Sequence, residues 1–240
     1  MRVRVRFSKL GKIRWTSHRD VARMWERAFR RTALPLAYTQ GFSPRPKVSF
    51  GLALPTGHES VAEYLDLELA ADRDAAEVDI SSLPARLSLA LPAGIDVQAV
   101  SVIDDRAGSL QEEVTSCTWL VEAASVSPAE LSGLVEQALA ADSLVITRQR
   151  KGRDVTDDVR SAIVSIEASA TEPVLLCELA TQPRGLRPSE MLTAIAPGLE
   201  EARVRRLHQW IQRDGASREP LEVELPLDAT DAPHAWERAS

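Results

Sequence analysis

The segment Arg2–Ser8, RVRVRFS, alternates without a break. Successive side chains of a strand point to opposite faces, so Val3, Val5 and Phe7 share one side and Arg2, Arg4 and Arg6 the other. The chain must start as a half-buried strand backed by three cations in a row. Whatever fold follows has to supply counter-charges for that row or leave it facing an anion.

The remaining pattern gives an ordered set of elements. Ser17 to Thr32 reads as a helix, with Ser17 as N-cap and Asp20 three residues on, an acidic form of the capping box. Residues 45–53 form a strand with Val48 and Phe50 on one side and Arg45, Lys47 and Ser49 on the other. EYLDLEL (63–69) alternates as a further strand, residues 78–91 are helical, and IDVQAVSVI (95–103) is a strand. The order β-α-β-β-α-β is that of the ferredoxin-like unit. Its first and third strands are neighbours, which sets Asp66 and Glu68 beside the strand arginines as cross-strand partners. The competing reading is an RNA-recognition sheet face, for which Tyr64 is the one aromatic in place.

DDRAGSLQEE (104–113) is polar and aperiodic and reads as a linker. A second unit begins with a strand at 117–124, followed by a helix opened by Ser127-Pro128-Ala129-Glu130. Strands near 143–149, 159–168 and 173–180, a short helix near 188–196 and a basic amphipathic segment near 203–213 complete it. The expected fold is α+β, with two tandem ferredoxin-like (βαββαβ) units, the second divergent. The expected domains are 1–107, a basic N-terminal unit, and 114–215, an acidic C-terminal unit. A tail, 216–240, follows, in which LEVELPL (221–227) is a candidate edge strand.

Charge is partitioned in the same way. Residues 1–50 hold thirteen Lys and Arg against two acids, a local charge of +11, whereas the other 190 residues hold 16 against 33, a charge of −17. A localised basic block on an acidic chain is the footprint of a polyanion partner. No apolar run approaches the roughly 20 residues of a membrane span. The charged N-terminus lacks the apolar core of a signal peptide, so a cytoplasmic, membrane-free protein is expected. Cys117 and Cys177 sit in separate apolar stretches and read as buried thiols.

Within the block, Arg19, Arg23 and Arg27 repeat every four residues. They fall with Arg30 and Arg31 opposite the apolar face of Val21, Trp25, Ala28 and Phe29. Like charges at that spacing cost an isolated helix roughly 0.2–0.5 kcal/mol per pair, so core packing or a bound anion must offset them. The adjoining segment, TQGFSPRPKVSF (39–50), surrounds Arg45 with Pro44 and Pro46, which fix the backbone and remove donors. It reads either as a rigid anion-holding arm (Gln40, Gly41, Phe42, Ser43, Arg45 and Lys47) or as a proline-rich approach to a strand.

Residues 14–69 resemble the N-terminal region of the radical-SAM-linked protein family, a bacterial domain of unknown function. The matching motifs are the S-H-x-D helix start (Ser17, His18, Asp20), the Q-G-F-[SN]-P-x-P arm (Gln40 to Pro46) and the G-x-x-S-x-x-E-Y-x-D turn and strand (Gly57 to Asp66). The resemblance implies a radical SAM partner and a place in RNA metabolism or ribosome biogenesis. The chain has no C-x3-C-x2-C run, so an iron–sulfur cluster would belong to that partner, and no cofactor or metal is expected here. Three readings follow. The first is a non-catalytic adaptor that binds structured RNA, tRNA or rRNA, through Arg19, Arg23, Arg27, Arg45 and Lys47, for a radical SAM enzyme in trans. The second is a metal-independent endoribonuclease using His18, with His58 as a possible second catalytic group and Glu59 and Glu63 to orient them. The third is a purely protein–protein adaptor.

Overall fold

The computed structural model describes residues 1–71, 78–150 and 152–221. The fold is α+β and divides into two compact units. Met1–Val114 and a returning stretch from Ile211 make the first, and Thr115–Trp210 makes the second.

The first unit contains β1 (Arg2–Lys9), α1 (His18–Arg31), β2 (Val48–Phe50), β3 (Glu59–Glu68), α2 (Leu83–Ala90) and β4 (Ile95–Ile103). The sheet order is β4-β1-β3-β2, with every pairing antiparallel. Val3, Val5, Leu65 and Leu67 meet α1 and α2 on one face. Trp25 is fully buried there, with its ring 5.0 Å from Phe7 and 5.4 Å from Phe29. The apolar face expected for α1 is therefore the one that packs.

Local chemistry moves the element ends. β2 starts at Val48, not at 45, because Pro44 and Pro46 offer no N–H to a ladder. β3 begins at Glu59, four residues earlier than the alternation of 63–69 suggested. A 3-10 turn, Ile80–Ser82, precedes α2, which has Pro84 in its first turn.

The other face of this sheet is also covered. Arg4 pairs with Asp66 through two bonds, Nε to Oδ1 at 2.7 Å and Nη2 to Oδ2 at 3.0 Å, and Arg2 reaches the same carboxylate at 2.7 Å. Arg6 pairs with Glu219, donates to Gln98 at 3.1 Å and lies 5.8 Å from the centre of the Tyr64 ring. Arg4, Arg6, Tyr64 and Asp66 are all buried. The expected cross-strand pairing of Arg4 with Asp66 is present, but Glu68, opposite Arg2, binds Lys47 instead. The stretch read as a linker forms a helical turn at Leu110–Glu113, and buried Leu110 packs with Ala62, Tyr64 and Leu221. Tyr64, the aromatic that an RNA-recognition face would use, is buried against Leu110 and is not open to stack on a base.

The second unit contains β5 (Val114–Ala123), α3 (Pro128–Ala140), β6 (Val145–Arg150), β7 (Arg153–Asp158), β8 (Ile163–Ala168), β9 (Val174–Ala180), α4 (Pro188–Ile195) and most of β10 (Glu201–Arg213). Its order is β10-β5-β9-β8, while β6 and β7 form a separate hairpin. Ser127 and Glu130 close the capping box that opens α3. The strand expected at 159–168 is β8, whereas β7, RDVTDD, which is mostly exposed and carries almost no apolar alternation, gave no signal in the sequence. The basic segment near 203–213 is part of the long strand β10, in which Arg206 lies 4.7 Å from the Trp119 ring centre. Cys117 and Cys177 are buried and unbridged, and burial pushes the Cys177 thiol pKa far up.

Ile211–Arg213 pairs with β11 (Ala216–Arg218) in the first unit, so the stretch read as the start of a tail carries a strand and Glu219, the counter-charge of Arg6. The candidate edge strand 221–227 lies outside the described residues after Leu221. Replacing Asp66 with Ala leaves Arg4 buried without its bidentate partner. A loss of about 3–5 kcal/mol is expected in urea denaturation. A loss well under about 1 kcal/mol would show that water, not Asp66, solvates these arginines.

Candidate anion-binding surface

The arginines of α1 sit on its outer face. Arg19, Arg23, Arg27, Arg30 and Arg31 are all exposed. Among the described residues, the one ion pair of this row joins Arg23 to Asp20 at 3.2 Å. Arg27 donates to the carbonyl of Arg23 and Arg31 to the carbonyl of Ala90, contacts that orient the side chains without neutralising them. The helix start is well fixed. Ser17 Oγ accepts from the Asp20 N–H at 3.2 Å and donates to Asp20 Oδ2 at 2.7 Å. Asp20 thus takes the cap hydroxyl, where a longer glutamate would take the cap N–H. The Ser17 hydroxyl, followed by the Arg23 and Arg19 charges, holds the Asp20 carboxyl below the usual carboxylate range.

Lys9 braces this helix start from below. It is buried, and its ammonium donates to the carbonyls of Arg14 at 3.0 Å and Thr16 at 3.1 Å. Burial lowers its pKa, and the Glu63 carboxylate partly offsets that. Glu59 accepts from the Gly11 N–H at 2.9 Å and faces Arg14 at 3.5 Å, while the Gly57 N–H donates to the Arg14 carbonyl at 2.8 Å. The loop before α1 is therefore stitched to the turn before β3.

The arm is a closed loop. Thr39 N–H donates to the Arg45 carbonyl at 2.9 Å, Lys47 N–H to the Ala37 carbonyl at 2.8 Å, and Arg45 N–H to Thr39 Oγ1 at 3.1 Å. Tyr38 bridges Pro46 across this neck. Gln40, Gly41, Phe42, Ser43, Pro44 and Arg45 are exposed beyond or beside it, with Gly41 at φ +129°, a value that favours glycine. The Arg45 guanidinium has no ion-pair partner among the described residues. Lys47 differs, since both Glu68 oxygens hold its ammonium, at 3.0 and 2.9 Å. Its charge is already shared, which sets it apart from Arg45. The arm feeds β2, where Phe50 meets the His18 ring edge-on at 5.2 Å, so the start of α1 abuts that strand.

His18 is exposed and borders a cavity of about 20 Å³ with Lys9, Val21, Phe50 and Glu63. That volume suits roughly one water molecule. His58 is buried and does not line the cavity. Of the four groups considered for acid–base work, the structure brings His18 and Glu63 to one cavity. It uses Glu59 to fix a loop. Among the described residues, no cluster of His, Cys, Asp and Glu is arranged to hold a metal ion.

Sequence reasoning overlooked Trp15. Its ring is 65 % exposed and lies under the Arg14 guanidinium at 5.2 Å. It covers Gly57, whose φ is +90° and where an added Cβ would fall 3.0 Å from Trp15 Cζ3. The signal available was the pairing of an aromatic with a glycine across two loops, which sequence spacing does not display.

These features define a two-unit α+β protein with an exposed arginine face and a closed basic arm. The chain belongs to the family described as an uncharacterized protein conserved in bacteria (DUF2344), whose profile matches residues 2–188. No curated protein matches it. Among solved structures, it is similar to a chain in the crystal structure of a Cbf5-Nop10-Gar1 complex, over 86 % of its own length, with TM-score 0.45 and 11 % identity. It spans about half, 48 %, of that chain. Among the described residues, no helix is long and apolar enough to cross a membrane.

The depressed Asp20 pKa means that its contribution to the helix start is complete above the ordinary aspartate value of about 3.9. That contribution is lost as pH falls through the lowered value. Ser17→Ala should remove about 1 kcal/mol of stability and move the Asp20 titration, followed by NMR, back toward the ordinary value. An unchanged Asp20 titration would assign the shift to the arginines alone.

Proposed function

We propose that this protein is a non-catalytic adaptor that binds structured RNA on the basic surface of its first unit. It presents that RNA to a radical SAM enzyme acting in trans. One observation supports the reading most directly: the arginines of the N-terminal block fall into two populations. Arg2, Arg4 and Arg6 pair with Asp66 and Glu219, and Arg14 faces Glu59. The five arginines of α1 and Arg45 stand in water, with Asp20 as the one acidic ion-pair partner among the described residues. A fold that compensates its internal cations and leaves an external row uncompensated is suited to a ligand rich in phosphate. The N-terminus of α1 adds partial positive charge beside His18 and Arg19.

The strand orders β4-β1-β3-β2 and β10-β5-β9-β8 follow one plan. We read the chain as two tandem ferredoxin-like units, the second enlarged by the β6–β7 hairpin. The radical SAM partner rests on the motif resemblance of residues 14–69, and a cytoplasmic location follows from such a role.

Filter binding to tRNA and to ribosomal RNA fragments across a salt series tests the proposal. Binding should weaken steeply with salt, and Arg23→Ala/Arg45→Ala should lower the affinity and flatten the slope by roughly one to two phosphate contacts. RNA recovered intact after incubation agrees with an adaptor, while cleavage that disappears in His18→Ala would move the function to an endoribonuclease. Absence of binding at low salt would leave the protein–protein adaptor, to be followed by co-purification with the radical SAM enzyme.

A further inference from the structure

Three aromatic side chains among the described residues are exposed by half or more, Trp15 at 65 %, Tyr38 at 50 % and Phe42 at full exposure. Single apolar residues scattered over a surface need no explanation. Here Trp15 already packs on Gly57 and Arg14, whereas Tyr38 and Phe42 both belong to the arm. Phe42 is the extreme case. It stands at the tip of the arm, beyond the neck closed by Thr39, Arg45 and the Tyr38–Pro46 bridge. Gly41 precedes it at φ +129°, a conformation a side chain at that position would strain. The loop is thus built to hold out a ring that touches no core of its own.

Phosphate recognition alone does not call for such a ring. Guanidinium groups and backbone amides bind the sugar–phosphate chain of any RNA, paired or not. An exposed aromatic adds something only where a base face is available. In a duplex the bases are stacked on one another, whereas in loops and bulges they can turn out and stack on a side chain. Arg45, three residues from Phe42 on the same arm and without an ion-pair partner among the described residues, is placed to hold the neighbouring phosphate.

We propose that Phe42 is a stacking residue for an unpaired base, so that the arm selects single-stranded loops within a structured RNA over continuous duplex. The inference rests on the RNA-binding reading above and makes it narrower. Phe42 and Arg45 have separable tasks. Stacking is largely indifferent to salt, whereas the contact of Arg45 with phosphate releases counterions and depends on it.

The test uses the full-length protein and two RNA probes of equal length, a stem–loop with 2-aminopurine in its loop and a fully paired duplex. The stem–loop should bind at least about tenfold more tightly, with a change in 2-aminopurine fluorescence on binding. Phe42→Ala should lower stem–loop affinity on the order of 5- to 100-fold, the usual range for losing one stacked base, and abolish the fluorescence change. The salt slope should stay as in the wild type. Phe42→Trp should restore binding and Phe42→Leu should not. Arg45→Ala should do the opposite of Phe42→Ala, reducing the salt slope by about one while keeping the fluorescence change. Equal affinity for both probes with no effect of Phe42→Ala overturns the inference but leaves RNA binding in place. Failure of the wild type to bind either probe overturns both. Loss of co-purification with the radical SAM enzyme in Phe42→Ala, with RNA affinity unchanged, assigns the ring to a protein partner instead.

Discussion

Asp66 gathers two arginines of the opening strand on one carboxylate that is itself buried. A buried charge is tolerable only when it is paired and its remaining donors are bonded. That requirement propagates. Arg2 also donates to the carbonyls of Ala107 and Gly108. Arg4 faces Glu113 at 3.8 Å, and Arg6 draws in Glu219. The segment after β4 and the stretch after β11 are thus both tied to the back of the sheet by the cations of β1. The sheet has protein packed on both faces. One is apolar, against α1 and α2, and the other is ionic, with Tyr64 and Leu110 filling the space between charges. Burial raises the Tyr64 phenol pKa far above its usual range, with the Arg6 charge acting against it, so the ring serves here as a neutral wedge.

Apart from the arginines of β1, Lys9 at its end, and Lys12 and Arg14 in the turn that follows it, the cations of the block lie on α1 and the arm. The two regions are joined physically, because Phe50 of β2 carries the arm and packs on His18 at the first turn of the helix. Lys9 and Glu59 stabilise the loop between β1 and α1 from inside, which keeps the helix start at a fixed position. The helix end of the surface is therefore anchored to the core, which lowers the ordering cost of binding there.

Much of this was legible in residue spacing. The alternation of 2–8 and 95–103 and the arginine repeat of α1 gave three elements nearly residue by residue, because each is stabilised by one buried apolar face that imprints its period on the chain. The pairing of Arg4 with Asp66 followed from strand order alone. Elements held by other forces were harder to read. β7 is a charged strand kept in place by its hairpin ladder, and the 104–113 segment reads as polar although Leu110 anchors it. On the candidate surface, the separation of Lys47 from Arg45 depends on Glu68, which no local spacing displays. The burial of His58 and the braced position of Lys9 arise from loop stitching, and Trp15 gains its setting from Gly57, more than forty residues away.

The chain leaves the first unit at Val114 and re-enters it at Ile211. Arg6 lies in the first strand of that unit, yet its carboxylate partner is Glu219, 213 positions later. During synthesis on a ribosome, β1 must wait for a further 213 residues before Arg6 meets its carboxylate. Until then the basic block is more strongly charged than in the finished protein. The stretch around Glu219 thus acts as a late-arriving latch on the first strand.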